Sequence, residues 1–451
     1  MSAAASSAGP PPGAAGRDED VLETILAPLR QTASWWWILL VACGAGLVLM
    51  AVASAETVGV GIGTWGNNIP VAWAFGIVNF VWWIGIGHAG TFISAFLLLL
   101  NQPWRSAIAR MAEAMTLIAL VNAAAFPVLH MGRPWFLYWL LPYPATMGVW
   151  PNFKSALTWD IAAIATYFVV SAIFFFLGLV PDLATARDAL RGRGRRRAYG
   201  VLALGWIGSG RQWRRRRAAL GLLAALAAAL VVSVHSIVSL DFSTAQLSGW
   251  HSTMFPPYFV LGALYSGLAM VLALAIPVRA AYGLEQVITP HHLDRLAKLL
   301  LSLGLVLAYC YVVELFTAWY GGGANDRATH LVHWPRGPYA RLYWTMLALN
   351  LATPQLLWSA RARRDPRVLL PAAVSVLVGM WLERFVIVVA SLSRGALPSS
   401  WRDYAPTWVD LSLLAGSFGV FGLLFLLFLR FVPMAALSEL RRQRFEAEAS
   451  T

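Results

Sequence analysis

Residues 214–241 read RRRRAALGLLAALAAALVVSVHSIVSLD. After four arginines no Asp, Glu, Lys or Arg occurs until Asp241, and that interval exceeds the roughly 20 apolar residues a helix needs to cross a bilayer's hydrocarbon core. In lipid the backbone must satisfy its own hydrogen bonds, so an uninterrupted apolar run of this length is a helix; a barrel strand would alternate. The arginines orient it, because the cytoplasmic ends of spans collect Lys and Arg.

The same pattern recurs on both sides of this stretch. Spans are read at Ser34 to Ser54, Pro70 to Leu100, Arg105 to His130, Ser155 to Val180 and Ala218 to Asp241, then at Pro257 to Val278, Leu296 to Tyr320, Leu342 to Ala360, Val368 to Ser391 and Asp410 to Pro433. A composition 59% hydrophobic and only 12% charged fits a chain whose solvent is lipid. The expected fold is an all-α, multi-pass integral membrane protein of about ten transmembrane helices. With the N-terminus inside, 26 of the 34 Lys and Arg fall on the cytoplasmic side, eleven of them between Pro181 and Arg217. Both termini are therefore expected in the cytoplasm, with residues 1–33 and 434–451 as tails around a membrane domain, 34–433. Residues 1–33 lack the apolar core of a cleaved signal peptide and read as a flexible tail, with a short surface helix from Val21. The net charge of +13 sits at predicted inner membrane faces, where anionic lipid attracts it, so a nucleic-acid partner is not expected.

Only Cys43 and Cys310 are present, each inside a span, which leaves no disulfide framework and no four-thiolate iron–sulfur site. His88, His130 and His235 fall on three spans at different depths, and no metal site is expected. The string GIGTWG at 61–66 mimics a dinucleotide fingerprint, but no strand precedes it.

An internal repeat organises the spans. Arg110 and Arg295 are as far apart in the chain as Trp159 and Trp344, and Gly87-His88-Ala89-Gly90 resembles Leu264-Tyr265-Ser266-Gly267. Spans two to five (70–241) and six to nine (257–391) are thus expected to form two related four-helix bundles, with the remaining helices flanking them. Thr345 stands where the first bundle has Asp160, and Leu315 where it has His130, so one site is expected rather than two.

Polar residues inside spans are costly and mark function by default. The topology gathers His130, Asp160 and Asp241 at the outer ends of consecutive spans, with His251, Arg133 and Trp135 in the adjoining outer loops. A histidine and two acids in an apolar cleft suit a quinone headgroup, which offers two oxygens to hydrogen bonds, and they can accept the two protons released when a quinol is oxidised. The competing reading is that these are capping or interfacial residues.

Several blocks carry a resemblance: Gly85 to Gly90 (GIGHAG), Phe126 to Trp135 (FPVLHMGRPW), Trp150 to Phe153 (WPNF), Leu157 to Asp160 (LTWD) and Gly379 to Val386 (GMWLERFV). Together they closely resemble the NrfD-like, or polysulfide reductase membrane-subunit, family, and within it the ActC branch of alternative complex III. The resemblance implies a respiratory quinol:electron-acceptor oxidoreductase of the bacterial cytoplasmic membrane. In it this subunit binds and oxidises menaquinol or ubiquinol near the outer face and holds no redox metal. His130, Asp160 and Asp241 take the quinone-site roles, Asp241 in the shortest match. Implied partners are an outer iron–sulfur subunit, multihaem and monohaem c-type cytochromes, a second NrfD-like membrane subunit and a terminal oxidase.

A second polar set, Glu314, Glu383 and Arg384, lies in the outer half of the second bundle, where Glu314 is expected to pair with Arg384. With His88, Glu113, Tyr309 and Tyr311 these form a candidate proton pathway, which the resemblance supports; a static ion pair is the equal alternative. Other readings of the chain are a sister subunit that binds no quinone, a quinone-reducing anchor of a molybdoenzyme, and a secondary transporter with broken mid-membrane helices.

Overall fold

A computed structural model describes residues 14–140, 155–190 and 192–448. Nine of its helices are long and apolar enough to cross a membrane: α2 (Ser34–Val60), α3 (Phe75–Thr91, extended to Leu99), α4 (Ala109–His130), α5 (Ala156–Ala189), α7 (Gly210–Ser243), α8 (Phe255–Ala281), α9 (Pro290–Tyr320), α11 (Pro366–Phe385, extended to Ser393) and α12 (Trp408–Phe431). Helices α1 (Ala14–Arg30), α6 (Arg193–Leu202) and α13 (Leu437–Glu448) lie outside this set. Below, "inner" denotes the face carrying the arginine cluster of 187–217.

The eighth expected span, Leu342 to Ala360, is not among these nine: the segment is helical but broken into short pieces. Helix α10 (Ala340–Leu347) widens into a π-helical turn at Ala348–Ala352 and tightens into a 3₁₀ turn at Thr353–Trp358. Pro354 is the cause: it has no N–H for the carbonyl four residues back, and its ring crowds that carbonyl. The carbonyl belongs to Asn350, and it accepts instead from the Tyr265 hydroxyl at 3.1 Å. Pro127, by contrast, is absorbed within α4.

The helix ends follow local chemistry. Ser209 and Gln212 form a reciprocal capping box before α7, as do Thr407 and Asp410 before α12. Gly61, at φ 116°, stops α2.

Packing runs through small residues. Helix α3 lies against α4, where a Cβ on Gly90 would come within 2.0 Å of the Ala112 carbonyl. Helix α5 pairs with α7, and α8 touches α3, α7, α9 and α11, joining the two expected bundles into one core. Helices α2 and α12 pair at the periphery, backbone to backbone across Gly46 and Gly419.

The terminal segments are helical and tied down. Apolar Ile25, Leu26 and Leu29 on one face of α1 are buried, and Arg430 and Arg195 donate to the carbonyls of Pro28 and Leu29. At the other end Glu439 of α13 pairs with Arg105 at 2.8 Å, and the Ser438 amide donates to Asp182 at 3.0 Å. The sequence reads as a tail at each end; the buried apolar face of α1 and the acid and amide of α13 account for the difference.

Candidate functional site

Asp160, in the second turn of α5, and Asp241, in the last turn of α7, enter the same outer end of the molecule because these two helices run antiparallel and pack along their length. Their carboxyl groups lie within hydrogen-bonding reach of each other. Asp160 is buried and Asp241 half-buried. One oxygen of each, Asp160 Oδ1 and Asp241 Oδ1, is buried with no hydrogen-bond partner among the described residues, and such groups normally find one. Two buried carboxyls in contact can share one proton or accept a hydrogen bond from a bound hydroxyl group.

His130 ends α4 on the same side. Its Nε2 donates to the Ala72 carbonyl at 3.0 Å, and its ring meets Trp65 edge-on at 5.7 Å. That bond holds the ring against the segment before α3, leaving Nδ1 as the acceptor. Arg133 and Trp135 are exposed in the loop that follows. The Trp150 to Phe153 block lies outside the described residues. His251 does not join this group. It is exposed and lines an outer vestibule of the second bundle together with Ser252, Asp326 and His330, because the turn after α7 carries it to the far side of that helix.

The second polar set is rearranged from expectation. Arg384 pairs with its own neighbour Glu383 at 3.0 Å and lies over the Phe259 ring at 4.3 Å. Glu314 accepts instead from Ser252 at 2.6 Å. The reason is direction: Arg384 points at α8, where Gly262 leaves room for it, whereas Glu314 faces the outer vestibule. Tyr311 donates to Glu383, and Asn350 donates to Tyr311 at 2.9 Å. Tyr309 is 62% exposed and takes no part, since two helical residues turn it away from Tyr311.

At the inner end Arg110 binds Glu113 at 2.7 Å and Asp182 at 3.1 Å, all three buried. Glu113 also borders a small cavity lined by the hydroxyls of Thr91, Ser94, Thr116 and Ser171. Thr91 lies 2.6 Å from the Tyr167 hydroxyl, and Tyr167 stacks on His88. Here the sequence-based depths need correction: His88 and His235 touch, ring centroids 4.6 Å apart and both fully buried, because α3 and α7 run in opposite directions and cross mid-membrane. His235, Tyr258, His330 and Asn350 were missed as candidates. Asn350 and His235 were findable as polar residues inside apolar runs, whereas His330 lies in the polar helical connection between two spans and carries no such signal.

Residues 64–395 match the NrfD, polysulphide reductase, family. The chain belongs to that family. The match spans the two aspartates, His130 and the Glu383–Arg384 pair. Among curated proteins, a chain of Halobacterium salinarum that is provisionally named as a membrane subunit of dimethyl sulfoxide reductase is 24% identical over 401 residues, covering 80% of this chain and 85% of that one. The family assignment agrees with the fold: an all-α, multi-pass membrane protein.

Proposed function

We propose that this NrfD-family chain is the quinone-binding membrane subunit of a respiratory electron-transfer complex, oxidising quinol at the outer end of α4, α5 and α7. The Asp160–Asp241 carboxyl contact carries the reading. Oxidation of a quinol releases two electrons and two protons. The carboxyl pair and the free His130 nitrogen are placed to accept the protons at the outer face, and the electrons leave to an iron–sulfur partner, from which c-type haem proteins would take them onward. The direction agrees with the resemblance to alternative complex III and with menaquinol or ubiquinol as donor.

A second reading reverses the flow. The provisional name of the Halobacterium relative favours a quinone-linked anchor of a molybdoenzyme, which would use the same site. Purification of the complex from its native membrane separates the two by its partners, multihaem cytochromes or a molybdopterin protein.

The decisive assay is quinol turnover by the purified complex carrying Asp160→Asn or His130→Ala. Loss of a proton acceptor costs about 10²- to 10⁴-fold in rate, and wild-type turnover in both variants removes the proposed site. Proton translocation by the same subunit is proposed along Glu113, the Thr91–Tyr167 hydroxyls, His88, His235, Glu383, Tyr311 and Glu314. The His88–His235 contact supports it, since it bridges the inner and outer groups. An unchanged pumping stoichiometry in Glu383→Gln vesicles rejects the relay.

A further inference from the structure

The second bundle contains a crevice with different chemistry from the carboxyl pair. Its cavity volume is about 50 Å³, and its walls include Tyr258 from α8, Tyr311 from α9, Tyr343 from α10 and Trp334 from the connecting segment. Flat aromatic side chains on several walls shape a slot for a planar ring. Polar groups converge on it as well. The Trp334 indole N–H is buried without a partner, and Glu383, ion-paired with Arg384, lines the wall. His330 stacks on Trp334 at 4.5 Å, and Glu314 and His330 both border the crevice and the wider outer vestibule. A mostly apolar cavity with a few convergent polar groups is the usual form of a small-molecule site.

The crevice also has a side door. Helix α9 packs against the segmented span through its π and 3₁₀ turns at 348–358 but scarcely touches α10 over 340–347. The two helices thus diverge toward the outer face, and Leu315, 42% exposed, lines both the crevice and its rim. The widened turn at Ala348–Ala352 sets this divergence, as π-bulges often do at functional positions. A ligand carried in the membrane can enter laterally, ring first, with its tail left in lipid.

We infer that this crevice is a second binding site for a quinone or quinol, its ring held between Tyr258, Tyr343 and Trp334 and its oxygens met by the Trp334 N–H and by Glu314 or Glu383. The inference rests on the reading of the chain as a quinone protein, and it departs from the single site expected from the repeat. Aligning the bundles compares positions 315 and 345 with His130 and Asp160, whereas the polar groups here come from Glu314, Glu383 and the connecting segment. A phospholipid acyl chain would leave the buried Trp334 N–H unmet.

The test is photolabelling of the purified full-length complex in nanodiscs with an azidoquinone, followed by peptide mapping, with wild type compared with the double variant His330→Leu/Trp334→Phe. These changes keep an aromatic ring at position 334 and remove polar contacts; retained heat stability of the variant shows that it is folded. Labelling of peptides covering 311–347 that excess unlabelled short-chain quinone suppresses, and that falls at least tenfold in the variant while label near His130 and Asp160 persists, supports the second site. Label confined to the His130 and Asp160 region overturns the second site and leaves the proposed function standing. Label confined to 311–347 supports the second site and removes the proposed catalytic one, and no label at either overturns both. A photoreactive phospholipid that labels 311–347 and resists displacement by quinone assigns the crevice to lipid and also overturns the inference.

Discussion

Replacing Glu383 by Gln is expected to destabilise the protein through Arg384, not through the lost carboxylate itself. The two side chains are 1% and 3% exposed, their charged atoms are 3.0 Å apart, and among the described residues no other carboxylate is ion-paired with Arg384. The guanidinium would retain the face of Phe259 at 4.3 Å, worth about 2 kcal/mol when desolvated. Removing one member of a buried pair costs roughly 3 to 5 kcal/mol, because the other charge is left without compensation. Unfolding entropies of about 2.1 cal/mol/K per residue, taken over the whole chain, convert each kcal/mol into about 1 °C. A fall of roughly 3 to 5 °C in the melting temperature of the detergent-purified protein is therefore expected. The double variant Glu383→Gln/Arg384→Met removes the charge together with its partner and is expected to recover more than half of that loss. An unchanged melting temperature in Glu383→Gln would refute the reasoning, since it would mean that Arg384 does not depend on this carboxylate.

Three smaller perturbations probe other parts of the argument. Gly90→Ala puts a Cβ 2.0 Å from the Ala112 carbonyl and must push α3 from α4; overpacking of this kind costs about 1 to 3 kcal/mol, visible as a lower melting temperature. Tyr311→Phe is expected to slow any proton-coupled turnover while Tyr309→Phe leaves it unchanged, because only Tyr311 reaches Glu383. The α13 clamp is expected to loosen in acid. Burial raises the Glu439 carboxyl, but Arg105 and then Arg110 outweigh it, holding the group below the usual carboxylate range. A depressed folded value means the clamp contributes fully above the unfolded value of about 4.3 and is lost as pH falls through the folded one. Faster hydrogen exchange of 437–448 below about pH 4, corrected for intrinsic rate and absent in Glu439→Gln, checks this.

The spans were legible because one signal, a long apolar run bounded by charge, is local and strong. Residues 214–241 gave a helix, its direction and one of the two acids without reference to anything else in the chain. That His130, Asp160 and Asp241 all lie toward one end of the molecule followed from counting spans, since topology alone fixes depth. What topology cannot fix is azimuth. Whether Arg384 turns to Glu314 or to Phe259, or whether Tyr309 or Tyr311 faces the interior, depends on how each helix is rotated against its neighbours. That rotation is set by contacts such as Gly262 beneath Arg384, which no periodicity reveals. The His88–His235 contact is hidden in the sequence for a related reason: span ends fix depth only to within several residues, while the antiparallel crossing of α3 and α7 brings the rings together.

Helix α8 gives the two halves of the molecule a shared wall. It packs on α3 and α7 of the first bundle and on α9 and α11 of the second. Phe259 shows what this means at residue level: one face of its ring receives Arg384, while its edges meet Phe242 and His235. Phe242 in turn adjoins Asp241 in the chain. Phe259 is thus a contact through which a change of charge at the Glu383–Arg384 pair can reach the helix that carries Asp241. Packed interfaces shift between discrete arrangements rather than deforming smoothly. Phe259→Leu removes the cation's ring, at the cost of some buried volume, while leaving every proposed proton carrier in place. If the halves communicate through this wall, quinol turnover in that variant falls although the first site is chemically intact; if turnover is that of wild type, the bundles share packing only.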